Sequence, residues 1–568
     1  MDADLIVGIF LRMLGLLIAF QFLTTSFQLS AIIGPRGLEP VRYLIHAFRR
    51  DHGCLKGFMK LPTVFWVGSS ERFIQMTTYA GTGLGLALAF GLGGNFQWFL
   101  VACAWFLWLS ILNASPSFFY YPWDVLLLET LLITVAAPKL ALLPELKVVE
   151  ATNPLLLTGY LVLLFRVMLG MGLSKFRVRD ARTKDGSYIY HFLEWQPMAT
   201  AFAQISRTLP MVIHRLSLKA LFIIECILPF CLFGPSTVRN ISLIAFVGLQ
   251  AKIMLNGNYG IFNLLTALLA LPAFAFSMDS LGALGALSAV DYLLLCHILL
   301  GIPHALFLDS WTSNAWAHAP KTVAKENSFL QKVITIFRIL KPFGFWHGYG
   351  VFVPRGNFQK VISVIQMQDQ SGHWHEVEPR YLTNRCDKRP PRFAPYHPRL
   401  DHHLYYIHLR PKDLKVSCLM GTHPYYVNEV SVIDKLVEHL YRGSENVKAL
   451  FKSVPVHKPN AIRIAAFEYV LLSPSETKTT GKYWSRQEIG ITTVFPRLEL
   501  NENTGIQSQY DPFVYDTYDT TSRDYSTATY AGETFSLHRV RFLLKGHLDD
   551  GRLHPYFRHP SVSTFEDR

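Results

Sequence analysis

Ionisable side chains that fall inside long apolar runs are where this chain most clearly invites chemistry, because each is expensive to place in hydrocarbon. Pro122-Trp123-Asp124 opens one such run and Glu129 follows five positions on, so the two acids do not closely share one helix face. Arg166, in the next run, can neutralise either. This trio reads as an interhelical ion pair that fixes packing, or as part of a transport or catalytic site. Glu225 and Asp291 are lone acids in apolar surroundings, and Lys252 is a lone base. Asn256-Gly-Asn258-Tyr-Gly260, with Asn263 just beyond, joins two further runs. Its amides suit hydrogen bonds between helices and its glycines a tight turn.

The 21 histidines do not assemble a metal motif. His373 and His375 alternate on an expected strand and share a face, whereas the adjacent His402 and His403 diverge. His191 and Glu194 lie three apart. Zinc needs a third and usually a fourth ligand, and there is neither an HExxH nor a CxxC, so the histidines are expected at the surface and no metal or cofactor is implied. A G-x-S-x-G elbow, a Walker A loop and a Rossmann fingerprint are also missing, which argues against an α/β-hydrolase or a nucleotide-driven enzyme. Cys103, Cys226, Cys231 and Cys296 sit in apolar runs as small hydrophobes. Cys386 and Cys418 lie outside them and are a candidate disulfide if their compartment is oxidising.

The elements that must hold these groups are membrane helices. Mean hydropathy is +0.23 and only 17% of the 568 residues are charged, against about a quarter in soluble proteins. The apolar runs precede Leu308, and by a criterion of about 20 residues per crossing they suggest some nine spans, the first from Leu5 to Leu29 and the last from Leu284 to Leu308. Residues 1–310 thus read as a polytopic α-helical membrane domain with hydrophilic loops at 32–63 and 174–215. Both loops are rich in Arg and Lys and fall on one side with the C-terminal region. The positive-inside rule would put that side in the cytosol. The net charge of +13 suits lipid headgroups, and no nucleic-acid-binding pattern accompanies it.

Residues 345–500 have the character of a soluble, mainly β (α+β) domain, and 501–568, rich in Tyr, Thr, Asp and Ser, that of a flexible tail. Val361–Gln366, Trp374–Val377 and Ile462–Leu472 are expected strands, with a turn at Gln370-Ser371-Gly372. Val430, Ile433, Val437, Leu440 and Tyr441 repeat at helical spacing and stop before Gly443.

Several motifs, in order along the chain, resemble those of the lipase maturation factor family. They are Gln28 to Pro40 with its Gly34-Pro35-Arg36-Gly37; Pro122-Trp123-Asp124 through Glu129; Phe165-Arg166 through Lys175; Tyr190-His191-Phe-Leu-Glu194-Trp-Gln196-Pro197; Asn256 to Thr266; Tyr349-Gly350; His397-Pro398-Arg399-Leu400-Asp401; Ala449 to Pro455; and Trp484-Ser-Arg486. The chain departs from that pattern at His402, His403, Tyr405 and Tyr406, where the family tends to have tryptophans, and after Ser453, where Asn-Pro-Phe is lacking. The resemblance implies a non-enzymatic multi-pass protein of the endoplasmic reticulum membrane that assists secreted lipases to assemble into active dimers. It also implies that both long loops and the C-terminal domain face the lumen, against the positive-inside reading.

On that reading Tyr190, His191, Glu194 and Gln196 form a candidate client-binding loop, Asp124, Glu129, Arg166, Asn258 and Asn263 an intramembrane polar cluster, and Arg399, Asp401, Trp484 and Arg486 a motif of the C-terminal domain. Arg399 and Asp401 read either as part of a client-binding sheet face or, the favoured reading, as a structural pair that holds the proline-rich loop. Two alternatives remain: a membrane enzyme with a looser resemblance to the vitamin K-dependent carboxylase group, using Asp124, Glu129, Arg166 and His191, and a transporter using Glu225, Asp291 and Lys252.

Overall fold

A computed structural model describes residues 2–178, 181–278, 287–307, 337, 339–350, 360–406, 429–496, 527–530 and 533–536. The chain enters through α1 (Ala3–Ile33), whose first turn is capped by Asp2 accepting from the amides of Asp4 and Leu5. At 1.5 Å per residue this helix is about 46 Å long, enough to cross a bilayer with a turn to spare at each end. A basic helix, α2 (Val41–Lys60), follows, and then α3 (Glu71–Phe90) returns along α1.

Glycine makes that return possible. A Cβ on Gly15 would lie 2.5 Å from the Ala89 nitrogen and 2.7 Å from the Gly85 carbonyl oxygen, and one on Gly85 would meet Ala19 at 2.5 Å. The backbones approach as small-residue helices do in lipid, where packing replaces hydrophobic driving force.

The remaining helices are α4 (Gln97–Ala114), α5 (Pro122–Thr134), α6 (Pro154–Val178), α7 (Ala181–Asp185), α8 (Tyr188–Trp195), α9 (Ala201–Arg207), α10 (Met211–Phe222), α11 (Leu228–Cys231), α12 (Ser236–Asn256), α13 (Phe262–Leu268), α14 (Ala270–Ala275) and α15 (Ala289–Phe307). Among the described residues four helical stretches are long and apolar enough to cross a membrane: Ala3–Ile33, Gly94–Ala114, Pro154–Lys175 and Ser236–Asn256.

That is fewer than the nine expected, for local reasons. The run after Trp123 is helical only to Thr134 and then doubles back through a bridge between Leu140 and Val148. The run from Leu218 passes through a π-turn at Ile223–Ile227 just before Pro229, and the run from Tyr259 divides into α13 and α14, the latter containing Pro272. Proline removes a helix donor and crowds the preceding turn. The run from Phe73 lies in a full helix, α3, but Glu71 and Arg72 at its start and Gln75, Thr77, Thr78 and Thr82 within it make it more polar. Arg12 of α1 donates to the carbonyls of Ala89 and Ala141, both at 2.8 Å, and to that of Glu145, tying the doubled-back segment to the α1–α3 pair.

The C-terminal α+β domain is built on a four-stranded antiparallel sheet ordered β2-β1-β5-β6: β1 (Lys360–Gln368), β2 (Trp374–Glu376), β5 (Ala461–Leu471) and β6 (Trp484–Pro496). A small pair, β3 (Glu378–Pro379) with β4 (Phe451–Ser453), lies beside it. β1 pairs with β5 along its whole length, from Lys360 opposite Tyr469 to Gln368 opposite Ala461. The turn into β2 places Gly372 at φ +88°, a conformation glycine adopts at little cost. Helices α16 (Arg399–Tyr406) and α17 (Glu429–Tyr441) belong to the same domain, with two short helices, Glu445–Lys448 and Pro474–Thr480. Gly443, at φ +66°, follows α17. Cys418 and most of 501–568 fall outside the described residues, so the Cys386–Cys418 disulfide and the flexible tail stay expectations. Within the latter, Thr527–Tyr530 pairs with Glu533–Ser536.

Candidate functional site at the domain junction

The polar residues singled out in the sequence gather chiefly where the helical bundle meets the C-terminal domain. Asp124 sits in the first turn of α5, where its carboxylate also accepts from the Tyr121 amide at 3.2 Å. Its ion-pair partner is Arg399, the first residue of α16, with Nη1 2.5 Å from Oδ2 and Nη2 2.7 Å from Oδ1. The guanidinium also lies 4.3 Å over the Phe119 ring. Gln28, near the end of α1, accepts from the Arg399 amide at 2.8 Å and donates to the His397 carbonyl at 2.9 Å.

Arg399 therefore does not pair with Asp401, as the sequence suggested. Asp401 instead accepts from the amides of Tyr381 and Leu382, at 2.8 and 2.9 Å. Burial raises its carboxyl to about 6. The two side chains of this helical turn serve different elements, one the membrane bundle and one the C-terminal domain's own loop.

A second node lies deeper. Arg166 of α6 pairs with Glu129 of α5, and its other nitrogen donates to the His347 carbonyl at 2.7 Å. The Tyr349 hydroxyl donates to Glu129 at 2.8 Å, and His297 of α15 approaches the same carboxylate at 3.3 Å. Arg166 is thus committed to Glu129 rather than Asp124, and residues 347 and 349 bind the bundle to the chain leading into the C-terminal domain. The lone groups have partners too. Glu225 pairs with Lys175, Asp291 accepts from Asn153 and from Ser288, and Lys252 donates to Ser217 at 3.0 Å.

The asparagine-rich junction is a third node. Asn258 accepts from the amides of Phe393 and Ala394, both at 2.9 Å, and donates to the carbonyls of Pro391 at 3.0 Å and Met198 at 3.2 Å. One side chain so joins the membrane bundle, the proline-rich loop and the second hydrophilic loop. Asn263 stays within the bundle and donates to Gln250 at 2.7 Å.

The second loop docks on the sheet. Glu194 accepts from the Leu471 amide at 2.9 Å and pairs with Arg207 at 2.8 Å, and Arg207 donates to the Leu471 carbonyl at 2.8 Å. Gln204 reaches the Leu472 carbonyl at 2.8 Å and the Thr477 hydroxyl at 2.7 Å. Gln196 is buried, donating to the Asn256 carbonyl at 3.0 Å and accepting from Tyr259 at 2.8 Å. Tyr190 and His191 are half-buried.

Lys360, at the start of β1, is buried beneath this loop, donating to the Gln196 carbonyl at 2.7 Å while facing the Tyr405 and Trp484 rings at 5.0 and 5.2 Å. Burial brings its ammonium down to about 7. Arg486 lies on the sheet's outer part and grips Glu376 at 2.8 and 3.0 Å.

The sequence reading missed Lys360, Gln204 and Gln28 as anchors. Nothing marks a single Lys or Gln as buried until its carbonyl partners are known. It also placed His402 and His403 at the surface, and this is corrected: they are 1% and 4% exposed. His402 and His397 share a hydrogen bond of 2.7 Å against Tyr121 and Trp123, and burial pushes the imidazole of His402 down to about 3 and that of His403 to about 4. These histidines help fill an aromatic core. His373 and His375 are exposed. Among the described residues no three His, Cys, Asp or Glu side chains converge as metal ligands.

A polytopic bundle with amphipathic loop helices, closed onto an antiparallel sheet by buried ion pairs, defines the class of protein. The match to known families agrees with it. Residues 6–278 match the lipase maturation factor transmembrane domain and residues 346–494 the lipase maturation factor C-terminal domain. The chain belongs to the lipase maturation factor family.

It is 25% identical to human lipase maturation factor 1 over 519 residues, covering 87% of this chain and 88% of that one. It is 24% identical to human lipase maturation factor 2 over 613 residues, covering 87% and 83%. To rat lipase maturation factor 2 it is 31% identical over 276 residues, covering 46% and 39%. No solved structure matches the chain.

Proposed function

We propose that this protein is a non-enzymatic maturation factor of the endoplasmic reticulum membrane that helps secreted lipases fold and assemble into active dimers, with its long loops and C-terminal domain in the lumen. The observation that supports this reading most directly is how the motif residues are used. Asp124, Glu129, Arg166 and Arg399 saturate one another in two buried ion pairs, Glu194 binds the second loop to the sheet, and Gln196 and Asn258 tie loops to the helical bundle. Groups so committed hold a platform. A membrane enzyme would need at least one of these acids free as a base. A transporter would need Glu225 or Asp291 facing a pathway, and both are hydrogen-bonded within the bundle.

Client contact falls to what the platform leaves outside. Phe202 and Ile205 of α9 and Leu209 beyond it are 44%, 54% and 47% exposed, on the same loop as the half-buried Tyr190 and His191. An apolar patch held rigidly from below suits a partner whose own interface is still uncovered during assembly. The test is secretion of active lipase from cells lacking their own maturation factor, with total lipase protein measured alongside. The chain should raise activity per unit of lipase at unchanged synthesis, and Phe202→Ser with Ile205→Ser should lower that gain without lowering the chain's abundance. No gain from a chain that is stable in the endoplasmic reticulum would overturn the reading.

A further inference from the structure

Under the docked second loop lies a cavity of about 160 Å³, bounded by α6, α8, α10 and α12 and open to one side. Met168, Met171, Phe192, Leu249 and Phe262 make its walls apolar. The one ion pair within it, Lys175 with Glu225, is self-neutralising. The cavity's remaining polarity includes one face of α12. Lys252 holds Ser217 at 3.0 Å, and one turn on, Asn256 donates to the Lys252 carbonyl at 2.8 Å while its Oδ1 is buried with no hydrogen-bond partner among the described residues. A buried acceptor left unpaired is costly, so the site calls for a ligand that donates there.

We propose that this cavity binds a monoacyl glycerolipid, with its acyl chain along the Met168–Leu249–Phe262 wall and its glycerol head against Lys252, Ser217 and Asn256. A glycerol hydroxyl supplies the donor that Asn256 lacks, and ester or phosphate oxygens supply acceptors for Lys252. A fatty-acid carboxylate satisfies Lys252 but has no proton for Asn256. Pockets that take whole drug-sized ligands hold about 300–1,000 Å³, so the smaller space here admits part of one chain and excludes a second. α6 and α12 are themselves long and apolar enough to cross the bilayer, which brings the lipid to the mouth.

The test uses the full chain in detergent with a monoacylglycerol carrying a photoactivatable group mid-chain. Labelling should map to peptides containing Met168–Met171 or Leu249–Phe262 and should be displaced by unlabelled monoacylglycerol. Lysophosphatidic acid should displace it more strongly, and Lys252→Gln should erase only that advantage, which separates an anionic from a neutral head. A free fatty acid, which keeps the anionic head but lacks the hydroxyl donor, should compete about tenfold more weakly than lysophosphatidic acid, the equivalent of one lost hydrogen bond. Leu249→Trp should fill the cavity and cut labelling about tenfold. If that variant fails to fold, the competition on the unaltered chain decides alone. Non-saturable labelling of outward helix faces, equal competition by fatty acid, or displacement only by an apolar client peptide would each overturn the proposal.

Discussion

Arg399 and Asp124 lie 275 positions apart, yet the guanidinium clasps the carboxylate with both terminal nitrogens, and both side chains are almost wholly buried. Each charge is tolerable there only because of the other. Removing one partner from a buried pair typically costs about 3–5 kcal/mol, whereas replacing both with apolar groups is often near neutral. Arg399→Leu and Asp124→Leu should therefore each lower the thermal midpoint and the cellular half-life sharply, and the double variant should recover much of the loss. If each single variant behaves like wild type, the pair does not hold the domains together.

The second node predicts a graded response. Tyr349→Phe removes one neutral donor to Glu129 but leaves Arg166 in place, so it should cost about 1–3 kcal/mol. Arg166→Met strands the carboxylate and should cost more. Chemical denaturation monitored by tryptophan fluorescence would rank them, and equal costs would remove Arg166 from its role as the main counter-charge.

Acidification should weaken the C-terminal domain. His402 and His403, packed against Tyr121 and Phe118 and with Arg399 near His402, are held at about 3 and 4, below the ordinary histidine value. Between pH 6.5 and 4 the unfolded chain binds protons that the folded chain refuses, so each histidine removes about 1.4 kcal/mol of stability per pH unit on the way down. Asp401, raised to about 6, works the other way: the folded state takes up its proton first and gains stability below pH 6. His397, hydrogen-bonded to His402 and likewise pushed well down by burial, adds a third loss, and three losses against one gain leave a net loss. The thermal midpoint should be lower at pH 5 than at pH 7, and His402→Asn should flatten the difference.

What the sequence made legible is periodic or compositional. Strand β5, helix α17 and its stop at Gly443, and the apolar runs carry their own local signal. Partner choice does not. Arg166 suits Asp124 and Glu129 equally on paper, and the cation that takes Asp124 lies in a motif beyond the whole membrane domain. Arg399 and Asp401 look like a pair because they are two apart, but a helical turn sends them in different directions. His402 and His403 look like surface residues because histidine usually is, and only tertiary packing shows that they are buried against aromatic rings. For a similar reason fewer long apolar helices appear among the described residues than the spans expected, since length and hydropathy cannot show where a π-turn or a doubled-back loop ends a helix.

The glycine-to-glycine contact of α1 with α3 gives a sharp test of how tightly the bundle is built. Gly15 and Gly85 face each other across α1 and α3, and a Cβ at either would fall within 2.7 Å of backbone atoms of the opposing helix. Rotamer change cannot relieve a clash with backbone, so the helices themselves must separate. Overpacking of this kind costs about 1–3 kcal/mol or more, and separation would also strain the contact of Gly81 with Phe22 and the grip of Arg12 on Ala89. Gly85→Leu should therefore reduce accumulation of the full chain severalfold, while Gly83→Leu, two positions away where a Cβ meets nothing within 4 Å, should leave it unchanged. Comparable accumulation of the two variants in a pulse-chase would mean that α1 and α3 are not packed glycine to glycine.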